Sequence, residues 1–291
     1  MKKLLKEPYY IFLDIKNFFK TSYKKPRSFL FNFIIDYQSY RINIDMKLTK
    51  LYQKKFLNLE KNEERKKKLL QVQREGVIKI ENFYQFENPQ EIINLMNDKE
   101  KNKKILMDII NQNLKNLMEK ILYYLSFMRG ENYNPNQMRL FFQVNKDIDM
   151  TDEFHSDVFS HSPKGYIYLH NVDTETRPFM YLLKSHNDYK ERKKLEKITC
   201  KNIYNETSQY MSGSSRLKEN EDFKKYFDKF ETFVGLAKKG DIIFADTSGF
   251  HKKGPGSKPR YAFWIEPKRG NLIKKLISFF FLKKHILNLK I

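Results

Sequence analysis

The chain contains a single cysteine, Cys200, and only ten glycines among its 291 residues. One cysteine excludes an intramolecular disulfide framework and a cysteine-based zinc site, and it favours a reducing compartment. No stretch reaches the roughly 18 apolar residues of a membrane-spanning helix. The N-terminus begins like a signal peptide, but Glu7, Pro8 and Asp14 interrupt its apolar region and no A-x-A-like cleavage site follows. These absences predict a cytoplasmic protein that retains its N-terminus.

Acidic residues are scarce relative to basic ones, with 35 Asp and Glu against 56 Lys and Arg and a net charge of +21. Residues 1–70 hold 18 basic and 7 acidic side chains, and residues 268–291 hold 7 basic and no acidic ones. The segment between them is nearly neutral, with 31 basic and 28 acidic residues. A basic protein commonly binds nucleic acid or an anionic surface, but here only the two ends have the charge to do so. The absence of a basic and aromatic stacking array argues against nucleic acid.

The order of sequence patterns predicts a mainly β domain with flanking helices. Residues 1–70 form a basic helical extension whose last helix ends at Gly76, and residues 71–267 form the main domain. After Pro135, six short apolar runs have the pattern of strands: 138–145, 165–171, 178–184, 232–237, 241–247 and 260–266. Short strands without alternating helices indicate an antiparallel sandwich or barrel. Residues 187–230 are too hydrophilic for a core and are predicted to be a lid or insertion.

The motif FHSDVF separates His155 and Asp157 by one residue, so both side chains project from one face of an extended segment. Alone the pair is a weak signal, and a solvated surface turn also explains it. His251 lies just past a late strand, however, and a new strand opens at Arg260. Two histidines and one carboxylate make a facial triad, which suits Fe(II) and leaves three positions open for 2-oxoglutarate and oxygen. The guanidinium of Arg260 suits the far carboxylate of 2-oxoglutarate.

Four segments in order resemble the Fe(II)/2-oxoglutarate-dependent dioxygenases, specifically the phytanoyl-CoA dioxygenase-like family, over residues 76–267. They are REGVIKIENFY, FHSDVF, GYIYLHNVDTETRPFMYLLKSHN and GDIIFADTSGFHKKGPGSKPRYAFWIEP. The resemblance implies a double-stranded β-helix, the cupin-like jelly roll, in which His155, Asp157 and His251 bind iron. It also implies that Arg260 binds 2-oxoglutarate and that a substrate C–H bond is hydroxylated with release of succinate and CO2. Because Asp157 is retained where related halogenases have a small residue, hydroxylation is predicted over halogenation.

The sequence departs from the family pattern at two positions. Lys184 precedes Ser185 of the Ser-His corner, where a glycine is usual, and Lys253 replaces a small hydroxyl residue that often assists the cosubstrate. Gln143 is a candidate for a further cosubstrate contact. The candidate substrate-pocket residues, which also fit a packed core, are Tyr166, Tyr168, Phe142 and Trp264. No side chain is nominated as a catalytic acid or base, because the metal would carry the oxidation.

Residues 268–291 are predicted to form a basic amphipathic tail. Its apolar arc is Leu272, Ile273, Leu276, Ile277 and Phe280, with Lys274, Lys275 and Ser278 opposite. Such a helix either lies on an anionic membrane, at the inner face for a cytoplasmic protein, or packs its apolar face on the domain. The sequence leaves the oligomeric state open.

Three functions follow from these patterns. The first is an oxygenase acting on a small molecule or a lipid- or sugar-derived substrate. The second is a nucleic-acid-modifying oxygenase with the same metal site, and the third is a noncatalytic jelly-roll module at an anionic membrane. Convergence of His155, Asp157 and His251 separates the two enzymes from the third function.

Overall fold

The computed structural model describes residues 28–115, 117–145, 152–157, 161–188, 215–216, 221–268 and 272–289. Cys200, the first 27 residues and most of the predicted 187–230 insertion lie outside the described residues. The described helices are α1 (Ser28–Leu59), α2 (Glu63–Glu75), α3 (Pro89–Met96), α4 (Lys99–Leu114), α5 (Met118–Arg129), α6 (Glu221–Phe227) and α7 (Leu272–Asn288). The strands are β1 (Val77–Ile80), β2 (Met138–Asn145), β3 (His155–Ser156), β4 (Pro163–Tyr168), β5 (Phe179–Leu182), β6 (Ser215–Arg216), β7 (Thr232–Gly235), β8 (Ile242–Asp246), β9 (His251–Lys253) and β10 (Arg260–Pro267).

The ten strands form two antiparallel sheets of five. The first has the order β1, β8, β4, β10, β2, and the second has the order β6, β3, β9, β5, β7. Along the chain, β2, β4, β8 and β10 belong to the first sheet, while β3, β5, β7 and β9 belong to the second. This exchange between sheets is a double-stranded β-helix, to which β1 and β6 add an edge strand each. The predicted mainly β jelly roll with flanking helices is confirmed, and each of the six predicted strands overlaps an observed one.

The first sheet separates two apolar cores because successive side chains of a strand point to opposite faces. Tyr166 and Tyr168 of β4 face inward between the sheets, where they pack with the inner residues of β5, β8 and β10. Ile167 and Leu169 face outward, into a core shared with the helices. The helix α5 is buried along its whole second half, so it fills the space between this sheet and α1. The helical layer thus supports the sheet from outside and leaves the interior of the β-helix for other chemistry.

The turn between α2 and β1 matches the sequence prediction. Asn62 caps the start of α2 by accepting a hydrogen bond from the backbone of Arg65, at 2.9 Å. Gly76 ends the helix in a left-handed conformation with φ 83°, which glycine adopts without steric cost. This end directs the chain into β1 at the edge of the first sheet.

The helix α7 buries Leu272 and Leu282 together with the polar side chains of Lys275 and Ser278, while the rest of its predicted apolar arc stays exposed or partly exposed. Lys275 is 1% exposed, and its Nζ lies 2.7 Å from Asp45 Oδ1 and 2.6 Å from Thr49 Oγ1. One turn further, Ser278 accepts a hydrogen bond from the backbone N–H of Asn132 at 3.0 Å. Burial lowers the pKa of Lys275 to about 8, although the nearby Asp45 carboxylate opposes this shift. A buried ion pair therefore sets the rotation of α7 about its axis.

The Asp45→Asn variant is expected to lower the free energy of unfolding by about 3 kcal/mol, because Lys275 would stay buried without its counter-ion. Urea denaturation followed by circular dichroism measures this loss. The double variant Asp45→Asn with Lys275→Met also removes the buried ammonium group and should recover part of the lost stability; Arg129, 3.7 Å from Asp45, would still lack this counter-ion. Wild-type stability in Asp45→Asn would show that the ion pair does not hold α7 on α1.

Candidate metal centre

The two histidines of the predicted metal site lie directly opposite each other in adjacent strands. His155 in β3 pairs with His251 in β9, and Asp157 follows β3 at the same end of the β-helix. Oδ1 of Asp157 lies 4.0 Å from Nε2 of His155 and 3.8 Å from Nε2 of His251. One ligand atom from each residue falls within 4.8 Å of the other two. The structure therefore brings together the three residues that the sequence selected, in an arrangement that could hold a metal ion.

A backbone carbonyl two residues earlier orients each imidazole. His155 Nδ1 lies 2.9 Å from the carbonyl of Glu153, and His251 Nδ1 lies 3.0 Å from that of Gly249. A ring nitrogen that donates to a carbonyl must carry the proton, so the lone pair of each ring is on Nε2, facing the shared point. Burial and the adjacent His155 lower the pKa of His251 to about 3. His251 is thus in the neutral form that binds a metal.

Asp157 is held by contacts that leave one carboxylate oxygen for the site. Its backbone N–H donates to the carbonyl of Thr247 at 2.9 Å, and Lys164 Nζ donates to Oδ2 at 2.6 Å. Burial raises the pKa of Asp157, but His251 and Lys164 outweigh it and keep the pKa below its usual range. Asp157 is therefore ionised, with Oδ1 directed to the two histidines. Lys164 has no motif in the sequence, and only the folded structure reveals this role.

The turn that precedes β9 depends on close contacts around Gly249. Ser185 of the Ser-His corner accepts a hydrogen bond from the backbone of Phe250 at 2.8 Å, while Tyr181 donates to the carbonyl of Asp246 at 3.0 Å. A side chain at position 249 would overlap the Tyr181 hydroxyl. Lys184 adopts φ 67°, in the left-handed region that favours glycine. The corner therefore keeps its glycine-type turn even though a lysine occupies the position.

The Gly249→Ala variant is expected to lower Fe(II) affinity about 10–100-fold, because the new methyl group would displace the carbonyl that orients His251. Calorimetric titration of the metal-free protein with Fe(II) under anaerobic conditions measures the change. Wild-type affinity in Gly249→Ala would contradict the assigned role of this turn.

Arg260 lies buried on the inner face, at the start of β10. Its Nη1 donates to the carbonyl of Arg177 at 2.6 Å, and its Nη2 lies 3.5 Å from Oε1 of Gln143. Arg177 itself pairs with Asp152, with two contacts of 2.6 Å. Lys253, two residues after His251, is also buried and lies 3.5 Å from Asp152. Arg260, Arg177 and Lys253 thus form a group of three cationic side chains with one carboxylate, Asp152. Arg260 adjoins Gln143, as the sequence predicts for a cosubstrate site.

Three of the four predicted pocket residues line the interior of the β-helix. Tyr166 contacts Phe179 and Trp264, with ring centroids 4.8 and 6.4 Å apart, and Phe179 lies 5.6 Å from the His251 ring. Tyr168 lies on the same inner face, with the Arg260 guanidinium 6.0 Å from its ring centroid. These aromatic side chains run from the histidines towards Arg260.

Phe142 is the exception among the predicted pocket residues. Its side chain packs against the outer core, on the side of the helices. Its neighbour Phe141 faces inward and stacks on Trp264 at 5.1 Å between ring centroids. In the pairing of β2 with β10, Phe141 lies opposite Trp264 and Phe142 lies opposite Phe263. The prediction chose the wrong phenylalanine because this register cannot be deduced from the sequence. The inner aromatic residue of this strand is therefore Phe141.

A separate polar cleft of about 370 Å³ lies between α1, α2 and the end of β8, away from the metal ligands. Asp246 lines it and is already satisfied, because the backbone N–H groups of Ser162 and Ser248 donate to it at 2.8 and 3.1 Å. His161 contacts the other carboxylate oxygen of Asp246. Asp246 thus anchors the loop that leads to His251.

No family model matches this chain, and no curated protein matches its sequence. The α-ketoglutarate-dependent non-heme epimerase SnoN from nogalamycin biosynthesis is 11% identical, with a TM-score of 0.44 over 69% of this chain and 82% of SnoN. EctD from S. alaskensis with bound Fe is 10% identical, with a TM-score of 0.44 over 71% and 79%. HygX from Streptomyces hygroscopicus is 12% identical, with a TM-score of 0.41 over 70% and 87%. Similarity at this level does not define the function of this chain.

Proposed function

We propose that the protein is an Fe(II)- and 2-oxoglutarate-dependent dioxygenase of the phytanoyl-CoA dioxygenase-like type. The observation that carries this proposal is the convergence of His155, Asp157 and His251 at one end of a double-stranded β-helix. A noncatalytic jelly-roll module has no need for two buried imidazoles and an ionised carboxylate around one point. The convergence therefore favours an enzyme.

The donor set fits Fe(II) in number, type and protonation. Two imidazole nitrogens and one carboxylate oxygen are the ligands of non-haem iron oxygenases, and they leave open positions for substrate and oxygen. His251 is neutral and Asp157 ionised, so neither must lose a proton before it binds the metal. When bound, Fe(II) with 2-oxoglutarate and O2 supplies an oxidation that hydroxylates a C–H bond and releases succinate and CO2. The surrounding residues hold and orient the reactants.

Arg260 is the proposed clamp for the far carboxylate of 2-oxoglutarate. Its guanidinium is 2% exposed and lies on the inner face of the sheet that contains Tyr166 and Tyr168. A buried guanidinium remains charged and offers a planar fork that matches a carboxylate. Gln143 beside it is the proposed second contact. Lys253 adds positive charge to the same group, at the position where the family pattern often has a hydroxyl residue.

The aromatic inner face supplies the proposed substrate pocket. Tyr166, Tyr168 and Trp264 would exclude water and contact an apolar part of the substrate. Trp264 Nε1 is buried and has no hydrogen-bond partner among the described residues, so an acceptor on a ligand would satisfy it. We propose hydroxylation of a small molecule or a lipid- or sugar-derived substrate, and no side chain need act as general base.

Anaerobic calorimetry with Fe(II), followed by 2-oxoglutarate, tests the proposal directly. We expect one Fe(II) per chain, binding of 2-oxoglutarate that requires the metal, and succinate when oxygen is admitted. Binding of neither Fe(II) nor 2-oxoglutarate would contradict the proposal. Candidate substrates can then be ranked by how much each increases succinate formation. Salt-sensitive turnover with oligonucleotides would instead favour a nucleic-acid substrate.

A further inference from the structure

The solvent-facing side of α7 carries an apolar stripe, which we call the outer face of α7. Its members are Ile273, Leu276, Ile277, Phe280, Phe281 and Leu287. Phe280 is 67% exposed and Leu287 is 73% exposed. With about 3.6 residues per turn, the six side chains fall within an arc of about 140°. The helix therefore presents to solvent the face that a helix of a globular protein ordinarily buries.

This orientation is built into the packing of the opposite side of α7. Lys275 is buried against Asp45, Ser278 is bonded to Asn132, and Leu282 is fully buried. Lys55 Nζ adds a hydrogen bond to the carbonyl of Phe279 at 2.7 Å. Rotating α7 to bury its apolar stripe would expose Leu282 and separate the buried ion pair. The outer face is thus exposed by a specific set of contacts.

Single exposed apolar side chains are common on protein surfaces, but a contiguous row on one helix indicates an interaction site. Elsewhere in the described residues, exposed aliphatic side chains occur singly, as Leu70 on α2 and Ile105 on α4 do, or as the one close pair of Val234 and Leu236. On α7 two phenylalanines and four aliphatic residues lie together. The concentration of large apolar groups therefore requires a partner surface.

The charge around the stripe selects the kind of partner. Lys283 and Lys284 are exposed on α7, with Lys283 at the edge of the stripe and Lys284 within its arc, and residues 268–291 contain no acidic residue. In a symmetric pair of α7 helices these lysines would add like charge to the interface, whereas anionic lipid headgroups would attract them. Among the described residues, no helix has the length and apolar character needed to cross a bilayer. An exposed apolar stripe accompanied by lysines is typical of a helix that lies in the plane of a membrane interface.

We propose that α7 docks the protein on the surface of an anionic lipid bilayer. The apolar stripe would enter the boundary between headgroups and acyl chains, and Lys283 and Lys284 would contact the phosphates. The buried pair of Lys275 and Asp45 holds the stripe outward, so the docking surface exists before the membrane is met. The proposal concerns only the location of the protein and does not depend on its metal chemistry.

Sedimentation with vesicles tests this proposal on the full chain. The vesicles contain phosphatidylcholine with about one third phosphatidylserine, and pure phosphatidylcholine vesicles serve for comparison. The wild-type protein should bind the anionic vesicles and bind less at high salt. Phe280→Ser with Phe281→Ser should lower binding by at least about tenfold, because the largest apolar groups are lost. Lys283→Glu with Lys284→Glu should lower it by at least about tenfold through charge.

The matched control removes two exposed apolar side chains from other helices. Leu70→Ser with Ile105→Ser should bind vesicles like the wild-type protein. Circular dichroism establishes that each variant is folded. If the Phe280 and Phe281 variant bound vesicles as tightly as the wild type, the proposal would be overturned. A lipid-free dimer that the same variant dissociates would also overturn it, because a second copy would then cover the outer face.

A fluorescent label distinguishes lipid from another segment of the same chain as the partner of the outer face of α7. Cys200→Ser with Phe280→Cys gives one cysteine on the outer face for an environment-sensitive dye. The emission spectrum of the dye should indicate an aqueous environment in the free protein. It should shift to shorter wavelength when anionic vesicles are added. A blue-shifted spectrum that vesicles do not change would show that another segment of the chain already covers α7, and the proposal would fail.

Discussion

The His155→Ala variant is expected to lose Fe(II) binding at the metal centre, and succinate formation with it. The loss should exceed the roughly 10–100-fold that removal of an outer hydrogen-bond partner costs, because a ligand itself is removed. His251→Ala should behave alike, since the two rings face the same point from adjacent strands. Anaerobic titration calorimetry gives the metal affinity, and chromatographic assay of succinate gives the activity.

His170→Gln is the matched control for this pair. His170 lies outside the metal group and accepts a hydrogen bond from the backbone of Tyr261 at 3.0 Å, which glutamine can also accept. This variant should bind Fe(II) like the wild-type protein. If His155→Ala retained wild-type affinity and activity, the metal would be bound elsewhere and the proposed centre would be wrong.

The Arg260→Met variant is expected to weaken 2-oxoglutarate binding by about 30-fold or more. Removing one partner of a buried hydrogen-bonded charge pair costs about 2–5 kcal/mol, and the cosubstrate carboxylate would be left without its counter-ion. The 2-oxoglutarate affinity of Arg260→Lys should lie between those of the wild type and Arg260→Met, because lysine keeps the charge but loses the planar fork. Calorimetric titration of the Fe(II)-loaded protein with 2-oxoglutarate gives each affinity.

Two measurements keep the Arg260 prediction specific. Fe(II) affinity should change little in Arg260→Met, because the guanidinium is not among the three metal ligands. Arg74→Met removes an exposed arginine on α2 and should leave 2-oxoglutarate binding unchanged. Equal 2-oxoglutarate affinity in Arg260→Met and the wild type would assign the carboxylate to another cation of the group, such as Lys253.

Local signals account for the parts of the fold that the sequence predicted. The strands β2 and β10 are eight residues long, and their apolar and aromatic runs identify them without knowledge of their partners. The strands that carry the histidines are different. β3 has two residues and β9 has three, which is too short for any periodicity. The sequence assigns these two strands to the site only through the His-x-Asp motif and the later histidine, His251.

The features that the sequence did not predict depend on contacts distant in the chain. An amphipathic pattern identifies the residues that share a face of α7, but the outward direction of that face depends on Lys275 meeting Asp45, which lies 230 residues earlier. The contact of Lys164 with Asp157 spans only seven residues, but it depends on where β4 starts relative to the end of β3. Assignment of Phe141 or Phe142 to the interior requires the register with β10.

The direct pairing of His155 with His251 makes the metal centre a test of strand register. A shift of β9 by one residue relative to β3 would turn His251 to the opposite face of its strand and leave the set with two ligands. A metal ion that binds only the correct register would act as a staple across these two short strands. Metal loading is therefore expected to slow hydrogen exchange of the backbone amides in β3 and β9.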